Sequence, residues 1–265
     1  MSAIDDNRLD RKFRELKEQG RKAFVAYITA GDPTPEATPG LVRALERAGA
    51  DVVELGVPFS DPLADGVVNQ LSAQRALAAG TTPAGVLDIV RAVREQSQIP
   101  IVLYTYFNLL YAHGVERICT QAHQAGVDGV LVLDLPPEED VAPLAHLRRI
   151  SLVAPTTPPD RLGLIVRQAG GFVYYVSREG VTGMQAGVAA NSANRIELIR
   201  KHTALPVCIG FGISTPEQAR TVAQQADGVV IGSALVNQIA ALGSSPELES
   251  KFEAFVRPLA EAIHS

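Results

Sequence analysis

Short runs of Val, Ile, Leu, Phe and Tyr recur along the chain, separated by longer stretches in which apolar residues return with helical spacing. Eight runs read as strands: 23–29, 51–55, 101–105, 129–133, 151–154, 172–176, 207–209 and 228–231. Helical patterns lie between them at 36–48, 83–96, 115–124, 161–169, 193–202 and 216–223. Several of these end in Ala-Gly, at Gly49, Gly126 and Gly170, where glycine suits the position just past a helix end. An extra helix covers 13–17 before the first strand, and 246–263 reads as a closing helix.

Strict alternation of strands and helices builds a parallel sheet from βα units. Eight strands in about 250 residues predict an α/β chain folded as a (β/α)8 TIM barrel with an extra N-terminal helix. No linker or shift in composition divides the sequence, so a single catalytic domain is expected over residues 1–265. The alternative, a doubly wound open sheet, lacks a Gly-x-Gly-x-x-Gly turn after the first strand.

A hydrophobic content of 46% supports a large core, and a formal net charge of -5 offers no basic footprint for nucleic acid. A small soluble partner fits better. The polar start of the chain leads us to expect no secretory signal, and no run is long enough to span a bilayer. Cys119 in a helix and Cys208 in a strand read as small core residues in a reducing cytoplasm.

A barrel carries its active site at the C-terminal ends of its strands, which turns those ends into candidates. Glu54 stands near the end of the apolar second strand. A carboxylate withdrawn from water without a partner costs several kcal/mol or raises its pKa, so it serves either chemistry or a structural ion pair. The loop that follows holds a second acid, Asp65, and two acids in one mouth suit divided roles. Tyr104, Tyr106, Asp134, Tyr174 and Arg178 stand at or near other strand ends, an acidic and aromatic set that suits a flat ring held by stacking and a few hydrogen bonds.

The remaining candidates narrow the chemistry. None of the five lysines falls at a strand's C-terminal end, which argues against a Schiff-base aldolase. The five histidines lack metal-ligand spacing, and no metal is expected. Gly210-Phe211-Gly212-Ile213-Ser214 and Gly232-Ser233-Ala234 are glycine-rich helix entries after the last two strands, where this fold commonly holds a phosphate. The same glycines would also serve plain tight turns. Residues 177–194, rich in Gly, Ala, Ser and Asn, read as a water-excluding lid or as a tolerated loop.

The segments 25–33, 54–66, 177–183 and 210–214, with Glu54-Leu55-Gly56-Val57-Pro58-Phe59-Ser60-Asp61-Pro62 foremost, occur in the order found in the tryptophan synthase α chain family, which the sequence resembles over nearly its whole length. The resemblance implies a lyase of L-tryptophan biosynthesis that cleaves indole-3-glycerol phosphate to indole and glyceraldehyde 3-phosphate. It makes Glu54 the acid/base, Asp65 the carboxylate that binds the indole, and Tyr174 the active-site tyrosine. Phosphate contacts would fall on Gly183, Phe211, Gly212, Gly232 and Ser233. Tyr27, Tyr104, Leu131, Val153 and Val230 would wall the ring pocket, with Asp61 and Pro62 in the loop and Arg178 and Thr182 in the lid. Tyr104 departs from the aliphatic residue of some family members.

The resemblance further implies no cofactor on this chain, and a β chain that carries pyridoxal phosphate and receives indole by channelling within an α2β2 heterotetramer. Isolated α chains are usually poor catalysts, so loop 55–66 and the lid are expected to couple the partner to closure. The side chains suit the reaction. Cleavage needs C3 of the indole protonated and the neighbouring side-chain hydroxyl deprotonated, which one carboxyl within reach of both would serve. An ionised Asp65 would accept the ring N–H and offset the developing positive charge.

Overall fold

The computed structural model describes residues 7–139, 141–176, 186–210 and 212–265. Its strands are β1 (Ala23–Thr29), β2 (Val52–Gly56), β3 (Ile101–Thr105), β4 (Gly129–Val132), β5 (Arg148–Arg149), β6 (Ser151–Val153), β7 (Val173–Val176), β8 (Val207–Gly210) and β9 (Gly228–Ile231). All pair in parallel, in the order β5-β4-β3-β2-β1-β9-β8-β7-β6. The two outermost strands are consecutive in the chain, with Ile150 alone between them. Its N–H still donates to the Val130 carbonyl at 2.9 Å, so 148–153 is one extended segment that joins β4 to β7 and closes the barrel. The predicted eight strands are therefore present, one of them in two halves.

Strand residues alternate between two cores, as the pleat requires. Val53, Leu55, Leu103, Val130, Ile209 and Val229 face the surrounding helices. Val25, Val52, Val102, Leu131, Cys208 and Val230 face the barrel axis. The helix α1 (Arg8–Glu18) packs Leu9, Phe13 and Leu16 onto this inner cluster from below, with the Phe13 ring 5.5 Å from that of Phe172. Each buried side chain of this size contributes about 1.5–3 kcal/mol.

The other helices are α2 (Thr38–Ala48), α3 (Val67–Ala78), α4 (Pro83–Arg94), α5 (Phe107–His113), α6 (Val115–Ala125), α7 (Pro159–Arg167), α8 (Ala186–Arg200), α9 (Pro216–Ala223), α10 (Ser233–Leu242) and α11 (Leu248–His264). Gly49 and Gly126 end α2 and α6 with φ of 106° and 97°, as their Ala-Gly signals predict. Gly170 does not play this part: α7 stops at Arg167, and the left-handed residue is Gly171. The segment read as a lid is helical from Ala186 onward, since four alanines between 186 and 193 outweigh the Gly, Ser and Asn among them.

One device recurs at the lower rim. Asp51, Asp128 and Asp227 each stand immediately before a strand and accept the N–H of Phe24, Ile101 and Val207 on the neighbouring strand, all at 2.9 Å. Each also meets a basic side chain: His264 for Asp51, Arg8 and Arg94 for Asp128, Arg200 for Asp227. These acids knit the strands together at the end opposite the strands' C-terminal ends.

Candidate active site

Glu54 shares the inward face of β2 with Val52, and the sheet register sets it between Tyr27 on β1 and Val102 on β3. It is 1% exposed. The other buried acids all have partners: Asp32 takes a two-pronged bond from Arg75 at 2.8 and 2.7 Å, and Asp51 and Asp128 are held as above. Oε1 of Glu54 has no hydrogen-bond partner among the described residues. Burial pushes this carboxyl up to about 8, and no cation among the described residues holds it down. Among the described residues no structural ion pair explains its burial, and at neutral pH the group is largely protonated.

Asp65 follows β2 in the loop to α3 and is partly buried. The Tyr104 phenol donates to its Oδ1 and the Tyr106 phenol to its Oδ2, both at 2.7 Å. Tyr106 Oη in turn accepts the Ala64 N–H at 3.0 Å. Charge-assisted bonds of this length are among the stronger ones. Burial, then the Asp65 charge, pushes the Tyr104 phenol well above its ordinary value, so it remains a donor. The sequence places Tyr104 and Tyr106 at the mouth but does not show that both hydroxyls meet Asp65; hydroxyls two residues apart across a strand end are the available signal.

Tyr27 and Tyr174 complete the inner face. The Tyr27 ring meets that of Tyr104 edge-on at 4.9 Å and 67°, and its hydroxyl lies 3.2 Å from Thr29 Oγ1. Tyr174 is partly exposed on β7, and its hydroxyl occupies the place of a side chain at Gly210: a Cβ there would come within 2.3 Å of it. Gly210 is thus needed for the close approach of an aromatic ring. Burial first, then the nearby Glu54 carboxyl, raises the Tyr174 phenol well above its ordinary value.

Leu131 and Val230 also face inward. Val153 does not. It stands in register with the outward Tyr175 and packs into the layer beneath the helices, whereas Leu152, in register with Tyr174, takes the inward place. An error of one residue along a strand exchanges its faces.

At the barrel's last two strand ends the glycine-rich entries differ. The first turn of α9 is filled from within by a capping box, with Gln218 Oε1 accepting the Ser214 and Thr215 N–H groups. Helix α10 begins at Ser233 behind Gly232, with no side-chain cap and no acid in its first turn. Its first N–H groups are the freer donors for an anion. Gly212 turns the preceding loop at a φ of 61°. Asp61 and Pro62 lie in the loop after β2, where the Ser60 hydroxyl donates to Asp61 at 2.5 Å. Arg178, Thr182, Gly183 and Phe211 lie outside the described residues.

A family model described as tryptophan synthase alpha chain matches residues 13–264. The tryptophan synthase alpha chain of Opitutus terrae is 54% identical over 246 residues, covering 91% of this chain and 92% of its own. That of Geobacter sulfurreducens is 51% identical over 262 residues, covering 97% and 99%. Among solved structures, tryptophan synthase subunit alpha from Legionella pneumophila superposes with a TM-score of 0.88 at 39% identity, over 97% of this chain and 98% of that one.

Proposed function

Because the chain belongs to the tryptophan synthase alpha chain family and is a lyase that cleaves indole-3-glycerol phosphate to indole and glyceraldehyde 3-phosphate, we propose that Glu54 carries the proton transfers of that cleavage. The supporting observation is its burial on the inner face of the barrel with no hydrogen-bond partner for Oε1 among the described residues. Largely protonated at neutral pH, Glu54 would give its proton to C3 of the ring. The carboxylate so formed would take the proton of the side-chain hydroxyl as the carbon–carbon bond breaks.

Asp65 accepts the ring N–H and offsets the positive charge that C3 protonation puts on the indole. Asp65→Asn keeps the shape and removes the charge. It is expected to lower kcat about 10²-fold, measured by indole release, and a variant that lost only affinity would confine Asp65 to binding. Tyr27, Tyr104, Tyr174, Leu131 and Val230 wall the ring, with Leu152 in the place expected for Val153. The phosphate sits against Gly212, Gly232, Ser233 and the first turn of α10, and Gly183 and Phe211 remain its further contacts on the resemblance. The chemistry uses side chains alone, and pyridoxal phosphate belongs to the β chain.

The β chain docks beside loop 55–66. Leu63, Val67, Leu71, Leu77 and Tyr111 are exposed, Leu63 at 93%, and Leu63, Val67 and Leu71 recur every four residues from the loop into α3. Exposed apolar stripes of this kind mark interaction surfaces. An α2β2 assembly in the cytoplasm fits two buried free cysteines. Leu63→Asp is expected to weaken association with the β chain by about tenfold or more in sedimentation titrations, while leaving the isolated chain's indole release unchanged. The overall test is indole release by the purified chain with and without β chain: no release in either condition would sink the catalytic assignment of Glu54 and Asp65 together.

A further inference from the structure

Asp65 sits in a loop, yet the charge asked of it must be in place as the ring cation forms. A mobile carboxylate would have to reorganise at that moment, and a fixed one would not. Two phenols do the fixing. Tyr104 holds Oδ1 from β3, and Tyr106, one step beyond the strand end, holds Oδ2 and the Ala64 N–H as well. Asn69 lies at the outer limit of bonding to Oδ1, 3.5 Å away. A carboxylate has about four lone-pair sites, so two phenols leave room for a ring N–H.

Tyr104 is itself anchored. Its register partners are Gly56 and Leu131, and its ring is braced edge-on by Tyr27, whose hydroxyl lies where a side chain at Gly56 would be. The chain of contacts runs from the rigid sheet through Tyr27 and Tyr104 to the carboxylate in the loop.

We propose that Tyr104 is a positioning residue for the cleavage, acting through Asp65: its hydroxyl holds the carboxylate oriented before substrate arrives. This rests on the reading of Asp65 as the acceptor of the ring N–H. It assigns the Tyr104 hydroxyl a part distinct from the apolar wall its ring provides.

The test is a double-mutant cycle on the full chain with Tyr104→Phe, Asp65→Asn and the pair, assayed with and without β chain, and with Tyr104→Leu as a packing control. Two quantities are read: kcat and KM for indole-3-glycerol phosphate, and the Kd of indole-3-propanol phosphate, which lacks the hydroxyl needed for cleavage. Tyr104→Phe is expected to lower kcat roughly tenfold with KM changed less than about threefold, because it removes one bond to a charged group. Tyr104→Leu should lose a similar factor. In the Asp65→Asn background the Tyr104→Phe effect on kcat and on Kd should shrink to less than about twofold.

An equal Tyr104→Phe loss in both backgrounds would overturn the proposal, since Tyr104 would then act independently of Asp65. So would native kcat in the Phe variant with loss only in the Leu variant, which is the pattern of packing alone. Native kcat in Asp65→Asn by itself would instead remove the reading of Asp65 on which the proposal stands. Single-turnover indole release with enzyme in excess reads the coupling where steady-state turnover in the Asn background is slow, and the Kd arm checks that both variants still bind the analogue.

Discussion

Glu54→Gln is expected to lower indole release by about 10³-fold or more while leaving the affinity for a non-cleavable indole phosphate within a few-fold. Loss of general acid–base catalysis typically costs about 10²- to 10⁴-fold, and here one group is asked to serve two proton transfers. The amide is nearly isosteric and neutral, as the buried carboxyl largely is at pH 7, so the cavity and its packing persist. Near-normal turnover would remove Glu54 from the mechanism.

The same substitution has a stability signature of definite sign. The native carboxyl titrates near 8 and the unfolded one in the ordinary range, so between those values the folded chain binds the extra proton. Stability therefore falls as pH rises through that window, and above about 8 the folded protein carries the full cost of a buried, unpartnered charge. Glu54→Gln lacks this slope. The variant should match the parent near pH 4, below the unfolded carboxyl's value, and exceed it in urea midpoint at pH 9; parallel curves across the range would place Glu54 in a more solvated setting. In the parent, kcat/KM should decline above about pH 8 as the proton donor is lost.

Asp128→Ala is expected to cost about 3–5 kcal/mol of folding stability, the range for breaking a buried ion pair from one side. Asp128 is 2% exposed and accepts three hydrogen bonds on its carboxylate, from Arg8 at 3.0 Å, Arg94 at 2.9 Å and the Ile101 N–H at 2.9 Å. Burial pulls Arg94 down only to about 10, so at neutral pH it stays charged and would be stranded. Arg94 retains the carbonyls of Gly126 and Ile99, which keeps the loss finite. Urea unfolding checks this, and a loss below about 1 kcal/mol would show that water replaces the carboxylate. Activity of the folded variant should persist, since Asp128 lies at the lower rim.

The order of strands and helices was legible because periods of 2 and 3.6 residues are strong where one face is buried. The strands over 23–29, 101–105 and 228–231 fall on their predicted bounds. Helices α3 and α5 are not legible in the pattern, and α10 is legible only at its glycine-rich entry, Gly232-Ser233-Ala234. The first carries exposed Val67, Leu71 and Leu77 that blur its polar face, the second is only seven residues long, and the third is apolar through most of its length. Glu54 was legible as an acid in an apolar run. Its lack of a partner was not, because partners such as Arg75 for Asp32 lie 43 residues away. Val153 shows the limit of placing a side chain on a strand as short as β6, where no long alternation fixes the face. Tyr104 and Tyr106 show another: sequence supplies the phenols, but only the fold brings both to one carboxylate.

The packing of α1 against the barrel floor has a consequence for traffic. Below Glu54 the interior is solid, with Leu9, Val25, Val52, Val102 and Phe172 all fully buried, and Phe13 and Leu16 pressed in behind them. A barrel open at both ends would lose an apolar product by the shortest route to water. Among the described residues this lower end is closed, and indole formed at the site proposed around Glu54 would leave by the opposite rim, where Asp65 and the loop that bears Leu63 stand. Whatever covers that rim decides where the indole goes.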